Sequence, residues 1–337
     1  MKAVVTGATG FIGGAAARRM LDLGWEVTLL ARPGSQPPPH LAGARVVHAD
    51  LGECTAKELR ALLPACDVVV HAAAIRNRWG TPPELYQRVN VDGTRDLAAA
   101  SIGYAKRFVF ISSSGVYGYP GVLGIDEDFP TVVPASPLDY HASKVLAEQA
   151  LLELYGSLPT VILRPTITYG PGDSDGMITR MVQMIRRQKL PRIGAGNNFL
   201  HLTFISDMVD AIIAAGREAR IRKGVYNVCG PEPIRFNDLA RGIAVMVERP
   251  FPTISIPRAA AYGAGWLFEL AYLLPGFNSF LPHTPLITRQ MVNNVSANRG
   301  FSGEKAREDF GFTPRVSLAE GLQATLAWMQ SEGIYPL

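Results

Sequence analysis

Tyr140 and Lys144 stand four residues apart in the segment YHASK. On a helix this spacing puts both side chains on one face, where a lysine ammonium beside a phenol favours the phenolate. A free tyrosine titrates near pKa ~10, so a proton shuttle working near neutrality needs its phenol lowered by about three units, roughly 4 kcal/mol. A cation in a partly desolvated cleft supplies an effect of that size, which makes the pair a candidate general acid/base with its activator. The pattern alone is weak, because many helix surfaces carry a Tyr and a Lys at this spacing. The segment TGATGFIG at residues 6–13 gives it weight.

Around that segment, Lys2–Thr6 reads as a strand, the glycines as a turn and Gly13–Leu23 as a helix stopped by Gly24. Gly7 permits the tight turn, Gly10 lets the backbone approach a pyrophosphate and Gly13 lets the helix pack close on the strand. The helix N-terminus then offers its unpaired N–H groups to the anion. Thr9, Phe11 and Ile12 complete the candidate nucleotide contacts of this turn. The next strand, Glu26–Ala31, ends in Leu30, Ala31 and Arg32. A site for NAD normally carries Asp or Glu there to hold the ribose 2′-OH, whereas a guanidinium suits a 2′-phosphate. NADP(H) is therefore the favoured cofactor and NAD(H) the second; Asp50 lies too far along the chain to replace the missing acid.

These residues, with several further segments, make the chain resemble the extended short-chain dehydrogenase/reductase family, of the NAD-dependent epimerase/dehydratase type, over nearly its whole length. ADL at 49–51 looks like the adenine-contacting pair, here Asp50 and Leu51, and VVHAAA at 69–74 like the strand and cofactor-lining loop, here Ala72, Ala73 and Ala74. NVDGTRDL at 90–97 resembles the helix beside the site, ISSSGVYG at 111–118 the strand bearing the catalytic serine, and RPTITYGPGD at 164–173 the strand whose loop flanks the nicotinamide, with Pro165 as a contact. FSGEKAREDFGFTPRVSLAEGL at 301–322 is similar to the ending of members close to 3β-hydroxysteroid dehydrogenases and to sterol or long-chain 3-oxoacyl reductases. The resemblance implies Tyr140 as general acid/base, Lys144 as its activator and a donor to the nicotinamide ribose, and a serine holding the substrate oxygen. Counting four positions back from Tyr117 gives Ser113 for that role, with Ser114 as the alternative and Ser112 on the cofactor side.

The resemblance also frames the substrate. Nucleotide-sugar members usually have Asn where Ile167 stands and Arg where Leu200 stands, and each lost charge-assisted bond to a diphosphate is worth roughly 1.5–3 kcal/mol. The apolar stretch 259–281, AAAYGAGWLFELAYLLPGFNSFL, points the same way. Glu269 interrupts it and Pro275 and Gly276 break it, leaving fewer than the ~20 residues of a membrane span. It is expected as a core helix of a smaller domain, with the wall of a lipid-sized pocket or an interfacial anchor as alternatives.

The 337 residues, 47% hydrophobic, suffice for a large core. The formal charge of +4 is scattered rather than blocked, so nucleic acid is not an expected partner. Cys54, Cys66 and Cys229 show neither a disulfide framework nor metal-ligand spacing, and no metal is expected. They suit a reducing cytoplasm, and the opening of the chain has no charged and apolar leader that would direct secretion. Strands at Arg45–His48, Asp67–His71, Arg107–Ser112 and Thr160–Arg164 alternate with helices, as in an α/β, doubly wound parallel sheet or Rossmann fold. The expected division is a dinucleotide-binding domain over 1–171, with returns at about 203–229, and a substrate-binding domain over 172–202 and 230–337. The expected partners are a hydrophobic small molecule, a second copy of the chain as a homodimer, and a peripheral membrane contact at most. The resulting expectation is an oxidoreductase interconverting a ketone and a secondary alcohol on an apolar molecule. A nucleotide-sugar epimerase or dehydratase with retained cofactor, or a non-catalytic NADP(H)-sensing protein, are the alternatives.

Overall fold

The computed structural model describes residues 1–132, 138–218, 220–273 and 285–334. Seven strands form one sheet: β1 (Lys2–Thr6), β2 (Glu26–Ala31), β3 (Arg45–His48), β4 (Val68–His71), β5 (Phe108–Ile111), β6 (Thr160–Pro165) and β7 (Lys223–Val228). Their order is β7-β6-β5-β4-β1-β2-β3 and every pairing is parallel. The strands are runs of Val, Ile, Leu and Phe because both faces of the sheet are covered. Val5 and Val27 face the helices Phe11–Asp22 and Ile205–Arg217, whereas Val4 and Phe108 face Gly93–Ser101 and Tyr140–Glu153. Neighbouring positions on one strand thus serve opposite layers.

The first helix begins at Phe11 rather than at Gly13, because Gly10, with φ −99° and ψ 176°, is the extended residue just before it. A Cβ on Gly13 would overlap the Gly7 carbonyl, so the glycine is what allows this helix to lie against the end of β1.

A second core joins the helices Met177–Arg186, Phe236–Met246 and Leu318–Ser331 through Val182, Ile243, Leu322 and Met329. Leu200 belongs to this core and is fully buried, and Ile167 packs against it. Their apolar character answers the needs of packing, so they carry less information about the ligand than their alignment with diphosphate-binding positions suggests.

The apolar stretch is also placed differently from expectation. Residues Arg258–Leu273 are helical, but only Ala261, Gly265 and Tyr272 are buried, while Trp266 is 50% and Leu273 74% exposed. Ala261, Gly265 and Tyr272 form the inward side, and the approach is close at the glycine: a Cβ on Gly265 would meet the Arg289 backbone nitrogen at 2.8 Å. Trp266, Leu267, Leu270 and Leu273 project outward, so this is not a core helix. Residues 274–281 of the stretch lie outside the described residues. No helix of the described residues is long and apolar enough to cross a membrane.

One buried ion pair ties the Tyr140–Glu153 helix to the sheet. Arg164 of β6 and Glu148 of that helix have side chains 7% and 5% exposed, and Arg164 Nη2 donates to Glu148 Oε2 at 2.6 Å. The Ser112 hydroxyl donates to the other carboxylate oxygen, and Arg164 Nη1 donates to the Tyr117 hydroxyl at 2.8 Å, which donates on to Asn227 Oδ1 of β7 at 2.8 Å. Removing one partner strands the other charge in low dielectric. Arg164→Met should cost about 3–5 kcal/mol of stability, and Arg164→Met with Glu148→Leu should recover much of that loss. Urea unfolding of the three proteins measures both; a single variant as stable as the wild type would show that the pair does not hold the helix.

Candidate active site

The strand order reverses between β1 and β4, and a crevice opens at the carboxyl ends of the strands where such a reversal occurs. Here it is a cleft of about 1120 Å³. It is bordered by the glycine turn, by Arg32, Asp50 and Leu51 at one end, by Ala72–Ala74 along its wall, and by Ser113, Tyr140, Lys144 and Pro165 at the other end. All the residues nominated from the sequence therefore share one surface.

The turn fits a dinucleotide phosphate. Gly7 has φ +70°, and a Cβ there would sit 2.6 Å from the Ala73 backbone nitrogen, so only glycine leaves the space open. The wall beside it is fixed by Thr6, whose hydroxyl accepts from Ala73 N–H at 3.1 Å and bonds His71 Nδ1 at 2.7 Å. His71 Nε2 bonds the Thr94 hydroxyl at 2.9 Å, and burial pushes this imidazole down to about 3, so it stays neutral and joins β1, β4 and the Gly93–Ser101 helix. At the opposite end the backbone of Arg32 is shaped by Ser35, which donates to its carbonyl at 2.7 Å. Asp50 turns back to accept from Gly52 N–H at 2.8 Å.

Tyr140 is the first residue of its helix, capped by Asp139, which accepts from Ala142 N–H at 2.8 Å. Lys144 follows one turn later, fully enclosed, donating to the Ile111 carbonyl at 2.8 Å, with its ammonium 4.5 Å from the centre of the Phe110 ring. The serine triplet resolves into three environments. Ser112 turns away to Glu148. Ser114 is buried in the short helical turn Ser114–Tyr117. The Ser113 oxygen accepts from Gly115 N–H at 3.0 Å, which leaves its own hydrogen to act on the Tyr140 phenol, whose pKa it lowers.

The electrostatics depart from the expected pairing of phenolate and ammonium. Burial pushes Tyr140 up to about 12, and the groups that oppose this are Ser113 and then the Arg76 guanidinium. Burial likewise pushes Lys144 from 10.5 down to about 7, against the pull of Glu148. Desolvation acts on both groups and disfavours charge on each, outweighing the advantage of a shared helix face. The ring of the next residue, His141, packs on Gly115 and lies edge-on to Tyr140 and Tyr119, at centroid distances of 5.4 and 6.4 Å. Its ring nitrogens have no hydrogen-bond partner among the described residues, and burial lowers its pKa.

Two site residues had no individual signal in the sequence. Asn90 bridges Ile75 and Ser143 and was visible only as part of NVDGTRDL. Arg76 stands in a polar loop where it looks like any surface arginine; only the fold brings it to the cleft.

Lys144 gives the site a pH signature. The unfolded lysine keeps its proton up to 10.5 and the folded one releases it near 7, so between these values the unfolded chain binds more protons and stability rises with pH. Below pH 7 the folded protein bears the full cost of the enclosed ammonium. Without added nucleotide, Lys144→Met should therefore melt above the wild type at pH 6.5, with the gain shrinking toward pH 10. Parallel melting curves that never converge would contradict this origin.

Residues 3–229 match the NAD dependent epimerase/dehydratase family. The chain is 29% identical over 332 residues to a 2-alkyl-3-oxoalkanoate reductase of Stenotrophomonas maltophilia, covering 96% of this chain and 98% of that one. It is 30% identical over 298 residues to the decarboxylating sterol-4-alpha-carboxylate 3-dehydrogenase of Saccharomyces cerevisiae, covering 80% and 78% of the two chains. Among solved structures, MoeE5 in complex with UDP-glucose and NAD superposes with a TM-score of 0.75 at 25% identity, over 98% of this chain and 99% of that one. With its parallel sheet, glycine turn and cleft, the chain belongs to the NAD-dependent epimerase/dehydratase family and is an NAD(P)-dependent oxidoreductase acting on CH–OH groups.

Proposed function

We propose that the protein interconverts a ketone and a secondary alcohol on a largely apolar molecule, with NADP(H) as the favoured cofactor. The observation that carries this reading is the meeting of Ser113, Tyr140 and Lys144 in the cleft that the glycine turn enters. The glycine turn and the residues from Arg32 to Leu51 would hold the dinucleotide, and a bound nicotinamide supplies or takes up the hydride. The chain's own residues handle the proton. In reduction the Tyr140 hydroxyl gives its proton to the carbonyl oxygen, and in oxidation it takes one from the alcohol. Ser113 steadies the same oxygen. Its bond to Gly115 N–H leaves its hydroxyl hydrogen facing that position. Burial raises the phenol to about 12, so near neutrality Tyr140 carries the proton that reduction requires.

The two curated relatives support an apolar substrate, since their names describe an oxoalkanoate and a sterol carboxylate. The likeness to MoeE5 with UDP-glucose favours a second reading, in which the same residues serve a nucleotide sugar. The three unpaired cysteines are in keeping with a reducing cytoplasm, where a homodimer is the assembly we expect.

NADPH consumption across a panel of apolar ketones, with UDP- and dTDP-sugars alongside, tests the reading. Turnover should appear with the ketones, and Tyr140→Phe should lower it by a factor on the order of 10² to 10⁴. Near-normal turnover in that variant would remove Tyr140 from the mechanism. Micromolar binding of UDP in competition with the substrate would favour the sugar reading.

Cofactor choice has its own test. Wild-type protein should bind NADPH more tightly than NADH, and Arg32→Ala should erase most of the difference while leaving NADH binding nearly unchanged, because the 2′-phosphate is all that distinguishes the ligands. Titration of both cofactors into both proteins decides it; a wild type that prefers NADH makes Arg32 a solvated surface residue.

A further inference from the structure

Arg76 occupies a tightly specified place. The backbone beside it is tied to Asn90, whose side-chain oxygen accepts from Ile75 N–H at 2.7 Å and whose amide donates to the Ile75 carbonyl at 3.1 Å. The same amide group donates to the Ser143 hydroxyl at 2.9 Å, and Ser143 donates to the Tyr140 carbonyl at 2.7 Å. Two side chains thus lock the segment bearing Arg76 to the first turn of the Tyr140 helix. From there the guanidinium crosses the cleft to Asp175 Oδ2 at 3.2 Å, while Arg180 Nε holds Asp175 Oδ1 at 3.1 Å.

The local charge is unbalanced. Arg76, Arg78 and Arg180 all act on Asp175, and the neighbouring Asp173 is buried, which raises its carboxyl to about 6 and weakens it as a counter-ion. Arg76 is also the cation that acts on the Tyr140 phenol. The cleft that Tyr140 lines therefore also holds the Arg76 cation, paired with a carboxylate that a second arginine already serves.

We propose that Arg76 is a specificity-determining residue that takes a carboxylate carried beside the reacting carbon, so that the substrate is a 3-oxo or 3-hydroxy acid with an apolar body. This rests on the ketone–alcohol reading of the site. In such an acid a single carbon separates the carboxylate from the reacting carbon, so the groups that hold the two must come from adjoining segments of one cleft, as Arg76 and Tyr140 do through Asn90 and Ser143. The incoming carboxylate replaces Asp175 on Arg76, and Asp175 stays paired with Arg180, so no charge is left alone. A guanidinium is matched to this exchange because its fork accepts a carboxylate in two parallel bonds.

The test compares 3-hydroxydecanoate with its methyl ester in NADP⁺ reduction and in equilibrium binding to the NADP⁺-loaded protein, for wild type, Arg76→Gln, Arg76→Lys and Asp175→Asn. One charge-assisted bond predicts that wild type favours the acid about tenfold or more. Arg76→Gln should lose that preference, through KM and acid binding, Arg76→Lys should retain part of it, and Asp175→Asn should tighten the acid. Ester and acid used equally by wild type, or a preference that survives Arg76→Gln, overturns the assignment while the ketone–alcohol reading stands. A drop in NADPH affinity in Arg76→Gln with the acid preference intact assigns Arg76 to the cofactor diphosphate and also overturns it. No turnover of either compound, or of any ketone in the panel, removes both readings together.

Discussion

The arrangement of the site depends on a charge pair that no ligand touches. Glu148 and Arg164, buried behind the Tyr140 helix, fix how that helix sits on β5 and β6. Glu148 is on the same helical face as Tyr140 and Lys144, so its position against the sheet sets theirs. The pair also holds Ser112 by its hydroxyl, which leaves the next residue, Ser113, directed at the phenol. Buried ion pairs are weak contributors to net stability compared with apolar packing, and their value lies in tolerating one geometry. Here that geometry extends through Tyr117 to Asn227, so the far edge strand, the Tyr140 helix and the serine turn share one hydrogen-bonded frame.

Enclosure governs the chemistry inside this frame. The ammonium of Lys144 is shut away from water and the phenol of Tyr140 is half-buried, and each is driven toward its neutral form. The cleft thus stores electrostatic cost in residues that a charged ligand would relieve, a common bargain at functional sites, where local rules are broken and the rest of the fold sustains the strain. The neutral His71, bonded on both ring nitrogens to threonines, shows the contrasting solution: a buried polar group fully satisfied and therefore structural.

Much of this could be read from the chain. The sheet was legible because parallel strands buried on both faces are nearly continuous runs of Val, Ile and Phe, and the glycine turn because close backbone approach admits no other residue. The Tyr–Lys pair was legible as a spacing, but its electrostatics were not, since the degree of burial is a property of the assembled cleft. The serine triplet stayed ambiguous for a similar reason: adjacent residues at a strand end point in different directions, and only Glu148 on another element decides which of them leaves the site. Apolar composition announced the 258–273 helix without saying that Ala261, Gly265 and Tyr272 would face inward and Trp266 outward. Leu200 was ambiguous, because an aliphatic residue serves a core as readily as a pocket. Arg76 was silent, being one arginine among many until the loop after β4 is folded onto the Tyr140 helix.

The parallel sheet has a consequence for the birth of the protein. Its cleft is bordered by residues from Gly7 to Asp210, and β7 closes the sheet only with Lys223–Val228. Each parallel pairing waits for a crossover, so a nascent chain that already carries the glycine turn, the serine and the Tyr–Lys helix still has β6 with an unpaired edge. Such an edge is a template for another strand. Synthesis on the ribosome is thus a stage at which the inner edge of β6 is open to mispairing with a neighbouring chain.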